Sequence, residues 1–228
     1  MKMKNTFGAA VVAVSSTLLV GLSATAHADT PSFNFVQVDY IISGDADAGM
    51  FYGPGPLSKF EVSEGLGLKG AFEIGDLFFV SGETQDITYE NSPFVQDFVV
   101  TDSTFVGGGA HFPVADMAEL YAQVGLARAT IANYAANGYG LKLGARVNVG
   151  IAEFGAWYQK SEAEFKPGSM TLDYDPEVMG LDVALTFAEN APQLVLGYTE
   201  ATYELSASNL PSIDIDTDNF SIGVRKTF

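Results

Sequence analysis

Cysteine is missing altogether from the 228 residues. No disulfide framework can hold the chain, and no thiolate can serve as nucleophile or metal ligand. Positive charge is scarce: 11 Lys and Arg stand against 28 Asp and Glu, a formal net charge of −17. Bulk charge this negative does not draw a chain to nucleic acid or to anionic membrane surfaces, and nucleic acid is not expected as a partner. Only 2 histidines and 1 tryptophan occur. Long apolar runs are confined to the start. Nothing downstream of Ala28 approaches the ~18 consecutive apolar residues of a helical span.

The first residues have a layout of their own. Lys2 and Lys4 precede an apolar stretch from about Gly8 to Leu22, and Ala26-His27-Ala28 offers a small-x-small cleavage site. That is the pattern of a secretory signal peptide over residues 1–28, leaving one domain over 29–228. Cleavage removes two lysines and no acids, so Lys plus Arg falls from 11 to 9 and the net charge goes from −17 to −19.

What the mature chain has in abundance is alternation. Apolar and polar residues alternate with period two, and turn residues interrupt them at fairly regular spacing. Ten strands are predicted, with eight as the alternative count, at about 32–43, 60–74, 77–90, 100–112, 118–132, 138–149, 151–163, 176–188, 193–206 and 218–228. Short connections (Gly75-Asp76, 113–117, Gly150, 190–193) alternate with long ones (44–59, 91–99, 166–175, 206–217), and 133–137 is intermediate. Short turns at one end and long loops at the other predict an all-β fold, a closed antiparallel up-and-down transmembrane barrel with its long loops outside the cell. An even strand count puts both termini on the periplasmic side.

Parity sharpens this. In the second strand, Val62, Leu66, Leu68, Phe72 and Ile74 are assigned to one face, and Glu61, Ser63, Gly65, Gly67 and Lys69 to the other. In the sixth, Tyr139, Leu141, Leu143, Ala145, Val147 and Val149 oppose Gly140, Lys142, Gly144, Arg146 and Asn148. A soluble sandwich or lipocalin-like barrel also alternates, but it needs a heavily charged exterior. Here the polar face is mostly glycine, alanine and serine, which suits a crowded lumen with lipid against the greasy face. On that reading Leu143→Arg is costly, and Gly144→Ser, facing the lumen, is mild. Rings gather near the strand ends: Phe72, Phe78, Phe112, Phe154, Phe187 and Phe228 toward the periplasm, and Tyr40, Phe60, Tyr139, Tyr158 and Phe220 toward the outside. They are expected to form two interfacial girdles.

The chain ends NFSIGVRKTF. Gly223, spaced hydrophobics and the terminal Phe228 resemble the assembly signal of Gram-negative outer-membrane proteins. The resemblance implies recognition of the last strand by the barrel assembly machinery. Lys226 departs from it, since that position is usually hydrophobic, although a lysine at the interface can snorkel. The architecture resembles the small OmpA/OmpX-type barrels, with ten strands rather than eight. FNFVQVDY, GLGLKGAF and FVGGGAHF are also similar to roughly 200-residue bacterial barrels known as quorum-sensing-regulated.

The lumen face carries ions. Asp39, Glu61, Lys69, Glu83, Lys142, Arg146, Glu153, Asp182 and Arg225 are expected to form an ionic network that fills the interior. Arg146 and Glu153 flank the Gly150 turn, and Lys69 and Glu83 flank Gly75-Asp76, so each pair is placed to meet across adjacent strands. Inward glycines leave room for long side chains. His111 is the one histidine of the mature chain. Lipid A deacylases place a serine two residues after their histidine, where Pro113 stands here. No catalytic residue, metal ligand or cofactor site is assigned. DIDTDN (214–219) resembles the first half of a calcium loop, but Asn219 replaces the turn glycine and Arg225 the closing glutamate. The expectation is therefore a monomeric, non-enzymatic outer-membrane barrel. It would have a structural role in the envelope, or meet surface partners, through acidic outer loops beside lipid and lipopolysaccharide. The alternatives are a narrow diffusion channel and, behind it, a lipid-modifying enzyme.

Overall fold

The computed structural model describes residues 31–47, 59–89, 100–131, 134–166, 171–188, 190–207 and 210–228. The signal-peptide reading of 1–28 and most of the first two long loops lie outside these residues, as does the side chain of Phe60. The described elements are β1 (Phe35–Asp47), β2 (Lys59–Ile74), β3 (Phe78–Tyr89), β4 (Val100–Ala115), β5 (Ala118–Ile131), β6 (Tyr134–Val149), β7 (Ala152–Phe165), β8 (Leu172–Leu185), β9 (Gln193–Ala207) and β10 (Leu210–Thr227).

Each strand pairs antiparallel with its sequence neighbours, and β1 pairs with β10 to close the barrel. Closure runs in register from Phe35↔Thr227 through Tyr40↔Ile222, and the Phe228 amide donates to the Asn34 carbonyl at 3.1 Å. No strand edge is left, which is the condition a sheet must meet in hydrocarbon. Gly75 (φ 70°) and Gly150 (φ 62°) hold the left-handed positions of two of the tight turns.

The greasy face is outside. Leu66, Leu68, Val106, Leu141, Leu143, Leu196, Ile222 and Val224 are all exposed, with Val124 at 65 % and Leu126 at 74 %. A continuous band of this kind fits lipid and not water. The rings predicted for the two girdles and described here, from Phe72, Phe112 and Phe228 to Tyr40, Tyr139 and Phe220, stand on this exposed face. From Tyr139 to Val149 on β6 is ten steps, about 33 Å of strand. At a tilt of about 40° that projects to roughly 25 Å, the height of an outer-membrane apolar band. Lys226 faces outward at the lower rim, where its ammonium donates to the Asn190 carbonyl.

Three expectations are corrected. The register of β2 against β3 shifts between Val62 and Glu64, so Val62 turns inward and is buried with Ile41 and Ile87, while Glu61 is exposed. A bulge of this kind adds one residue and reverses the parity beyond it. The acidic stretch 206–217 is not a long loop: β9 runs to Ala207 and β10 begins at Leu210. Its alternation is a strand's, with Ile215 and Thr217 buried and Asp214 and Asp216 exposed. The extracellular part of a strand stands in water, where outward acids cost little. The β7–β8 connection is also shorter than read, because β8 starts at Leu172.

Candidate functional site

The lumen is the site, and it is built in layers. Lowest is an aromatic plug. The chain before β1 turns into the periplasmic mouth and buries Phe33. Its ring stacks on Phe79 at 4.1 Å and lies 5.0 Å from the His111 ring and 5.4 Å from Tyr121. Glu73 holds the segment, accepting from the Phe33 amide at 2.7 Å and from Asn34 Nδ2 at 2.9 Å. Arg146 covers the other side, donating from Nη1 to the Ser32 carbonyl at 2.9 Å with its guanidinium 4.8 Å from the Phe33 ring.

Above the plug is an ionic belt. Glu153 takes Arg146 Nε at 3.0 Å and Nη2 at 2.8 Å, and its Oε1 also takes Arg225 Nη1 at 2.6 Å. Arg225 Nε donates to Gln37 Oε1 at 2.7 Å, and Gln37 Nε2 donates to both oxygens of Asp39 at 2.8 and 2.9 Å. Lys69 lies 3.5 Å from Asp39 and 3.7 Å from Asp182. Lys142 pairs with Glu83 at 2.7 Å and sits 4.0 Å over the Trp157 ring, whose Nε1 donates to Asp182 at 3.3 Å. Three of these ion pairs join strands that are not neighbours and so cross the lumen: β2 to β8 (Lys69–Asp182), β3 to β6 (Glu83–Lys142) and β7 to β10 (Glu153–Arg225).

Eight of the nine residues assigned to the network are thus brought together, and the exposed Glu61 stands apart from it. The Arg146–Glu153 pair across the Gly150 turn forms as read. Lys69 and Glu83 face each other in register, yet their charged ends go to Asp182, Asp39 and Lys142. Facing partners were legible from turn spacing. Partners across the lumen were not, because they depend on how the barrel closes. The inward glycines also serve a different purpose from the one expected. A Cβ at Gly180 would come within 2.3 Å of the Trp157 ring, and one at Gly144 within 2.3 Å of the Tyr121 ring. Rings, not cations, occupy that room, so Gly144→Ser is disruptive rather than mild. At Gly223 a Cβ would collide with Asp39, which gives the terminal motif's glycine a packing role as well.

His111 has an acid that no spacing rule revealed. Glu119, buried on β5, places Oε2 3.2 Å from His111 Nδ1 and Oε1 3.5 Å from Arg146. A histidine oriented by a carboxylate is part of a hydrolytic triad. The other nitrogen, Nε2, is buried and has no hydrogen-bond partner among the described residues, and the Phe33 and Phe79 rings flank the imidazole. Such a pair braces the plug.

The outer half of the lumen is not polar, contrary to the expectation of an ionic fill throughout. Ala46, Ala129, Ala136, Ala163, Phe165, Tyr174, Ala201, Tyr203, Leu205 and Ile215 form one buried cluster there, with Tyr174 and Tyr203 stacked at 5.7 Å. Between belt and cluster lies a cavity of about 100 Å³. No group of acids, histidines or cysteines among the described residues is arranged to hold a metal ion.

No family model matches the chain, and no curated protein does. The likeness to quorum-regulated barrels therefore remains one of three short stretches. Solved structures of similar form include Neisserial surface protein A (11 % identity, TM-score 0.41, 86 % of this chain and 98 % of that one). They also include the outer membrane protease OmpT from Escherichia coli (7 %, TM-score 0.46, 86 % and 98 %) and LpxR from Salmonella typhimurium (8 %, TM-score 0.39, 86 % and 100 %). At such identities the likeness does not extend beyond general form. The protein's own closed sheet, apolar exterior and paired ring girdles are those of a small Gram-negative outer-membrane β-barrel.

Proposed function

We propose that this barrel is a closed, non-enzymatic element of the outer membrane that acts through its outer surface and not by passing solutes. The observation that supports this most is the set of three ion pairs crossing the lumen above the Phe33 plug. Charges taken from water must be paired, and here pairing ties together strands three or four places apart, so a conducting path would have to break it. Ten strands also give a small barrel, whose interior side chains can fill. Outward acids on the outer strand ends, among them Asp45, Glu162, Glu164, Glu204, Asp214 and Asp216, are exposed. They offer a negative collar to whatever meets the cell surface, and lipopolysaccharide phosphates would meet it through divalent cations. The C-terminal strand is the part read by the assembly machinery, and the barrel works as a monomer.

Two assays separate this reading from its rivals. Liposomes carrying the folded protein should not swell in isosmotic arabinose, whereas a diffusion channel swells them. Lipid A from cells overproducing the protein should be unchanged in mass, whereas a lipid-modifying enzyme would lower it by an acyl chain or otherwise alter it.

A further inference from the structure

The cavity between the ionic belt and the apolar cluster has two hydrogen-bonding atoms with nothing to bond. Gln159 on β7 and Asn219 on β10 both line it and are more than nine-tenths buried, at 9 % and 6 % exposure. Gln159 Oε1 and Asn219 Oδ1 lack any partner among the described residues, while Gln159 Nε2 has only a 3.4 Å contact with Ser161 Oγ. Buried amides left this way cost about 1–3 kcal/mol each, a cost that a ligand or an ordered water in the cavity removes. The remaining wall combines apolar groups, from Ile41, Phe105 and Tyr203, with polar residues such as Ser103, Thr199 and Ser221.

We infer that this cavity binds a small neutral alcohol, with its hydroxyl on Gln159 and Asn219 and its apolar body against Ile41, Phe105 and Tyr203. The charged groups on the floor, Asp39, Lys69 and Glu83, are already paired with one another or across the lumen, so no charge on the ligand is called for. A hydroxyl has one proton, so it donates to the oxygen of one amide and accepts from the other amide turned with its nitrogen toward the cavity. The volume, about 100 Å³, is somewhat below that of the 150 Å³ engineered cavity that takes benzene, which limits the ligand to about six heavy atoms.

The chain carries its own reporter, because its single tryptophan, Trp157, lines the same cavity. Cyclopentanol is transparent where tryptophan absorbs. Titrated into the folded full-length mature protein in detergent, it should shift Trp157 emission with a saturable curve. Cyclopentane should have a midpoint at least tenfold higher. Gln159→Leu with Asn219→Leu should weaken cyclopentanol about tenfold, and Thr199→Phe, which fills the cavity from β9, should abolish saturation. Only variants with heat-modifiable mobility are titrated, and Gln159→Leu alone replaces the double variant if that one does not fold. A linear drift in the wild type, as detergent partitioning gives, overturns the inference, since water alone then fills the space. Equal midpoints for alcohol and hydrocarbon, or a saturable curve unchanged in the variants, overturn it as well.

Discussion

Arg225, three residues from the C-terminus, places its guanidinium 2.6 Å from Glu153 on β7, a strand that is not its neighbour. That one bond joins the last strand to a strand three places along the barrel wall. Because Glu153 also takes Arg146, a single carboxylate bridges two buried cations and helps to fasten the plug.

Glu153→Gln should therefore destabilise strongly. It leaves Arg146 and Arg225 buried with half their counter-charge, and breaking such a pair costs about 3–5 kcal/mol. Lys160→Gln, which removes one half of the exposed Lys160–Glu177 pair, should change little. Urea unfolding from lipid vesicles compares the two. Equal loss for both variants would mean that the belt is not a structural unit.

The exterior makes a depth-dependent prediction. Leu143 stands near the middle of the β6 apolar face and Ile74 at the periplasmic end of β2. Leu143→Arg should cost about 2–4 kcal/mol and Ile74→Arg about 0–1 kcal/mol, as expected for arginine at the bilayer midplane and near its rim. The check is the fraction of heat-modifiable folded barrel on gels after refolding. Identical losses would remove lipid as the cause.

These faces were readable before any coordinates, because period-two alternation states which side of a strand is greasy. The count of ten and nearly every strand centre followed from it. The errors have local causes. Glu61 and Val62 were misplaced because a bulge leaves no mark in a stretch such as EVSEG. The start of β10 was missed because IDIDTDN looks like a solvated loop, although Ile215 and Thr217 keep strand parity. Inside the lumen, sequence showed which residues point inward but, beyond the Arg146–Glu153 pair across a tight turn, not which ones meet. Glu119 was assigned no role at all, although its position opposite Arg146 in register could have pointed to it. Phe33 was taken as the start of a strand, and nothing in its spacing announces a plug.

The terminal ring separates two roles. Phe228 is 69 % exposed and Phe187 is 68 % exposed, so each gives lipid a similar surface. Phe228→Ala should lower outer-membrane yield in cells far more than Phe187→Ala, because only the former alters the strand that the assembly machinery reads. Phe228→Tyr should restore it. After refolding into detergent, the two alanine variants should unfold alike. Equal yields in cells would make Phe228 a girdle residue alone.

The closed lumen is tested most directly by single-channel recording in planar bilayers, on protein whose insertion is confirmed by protease protection in parallel vesicles. A barrel whose walls are tied by Lys69–Asp182, Glu83–Lys142 and Glu153–Arg225 should give no stable conductance steps, in bilayers where a general porin conducts. Reproducible steps of one defined size from the wild-type protein would contradict the account.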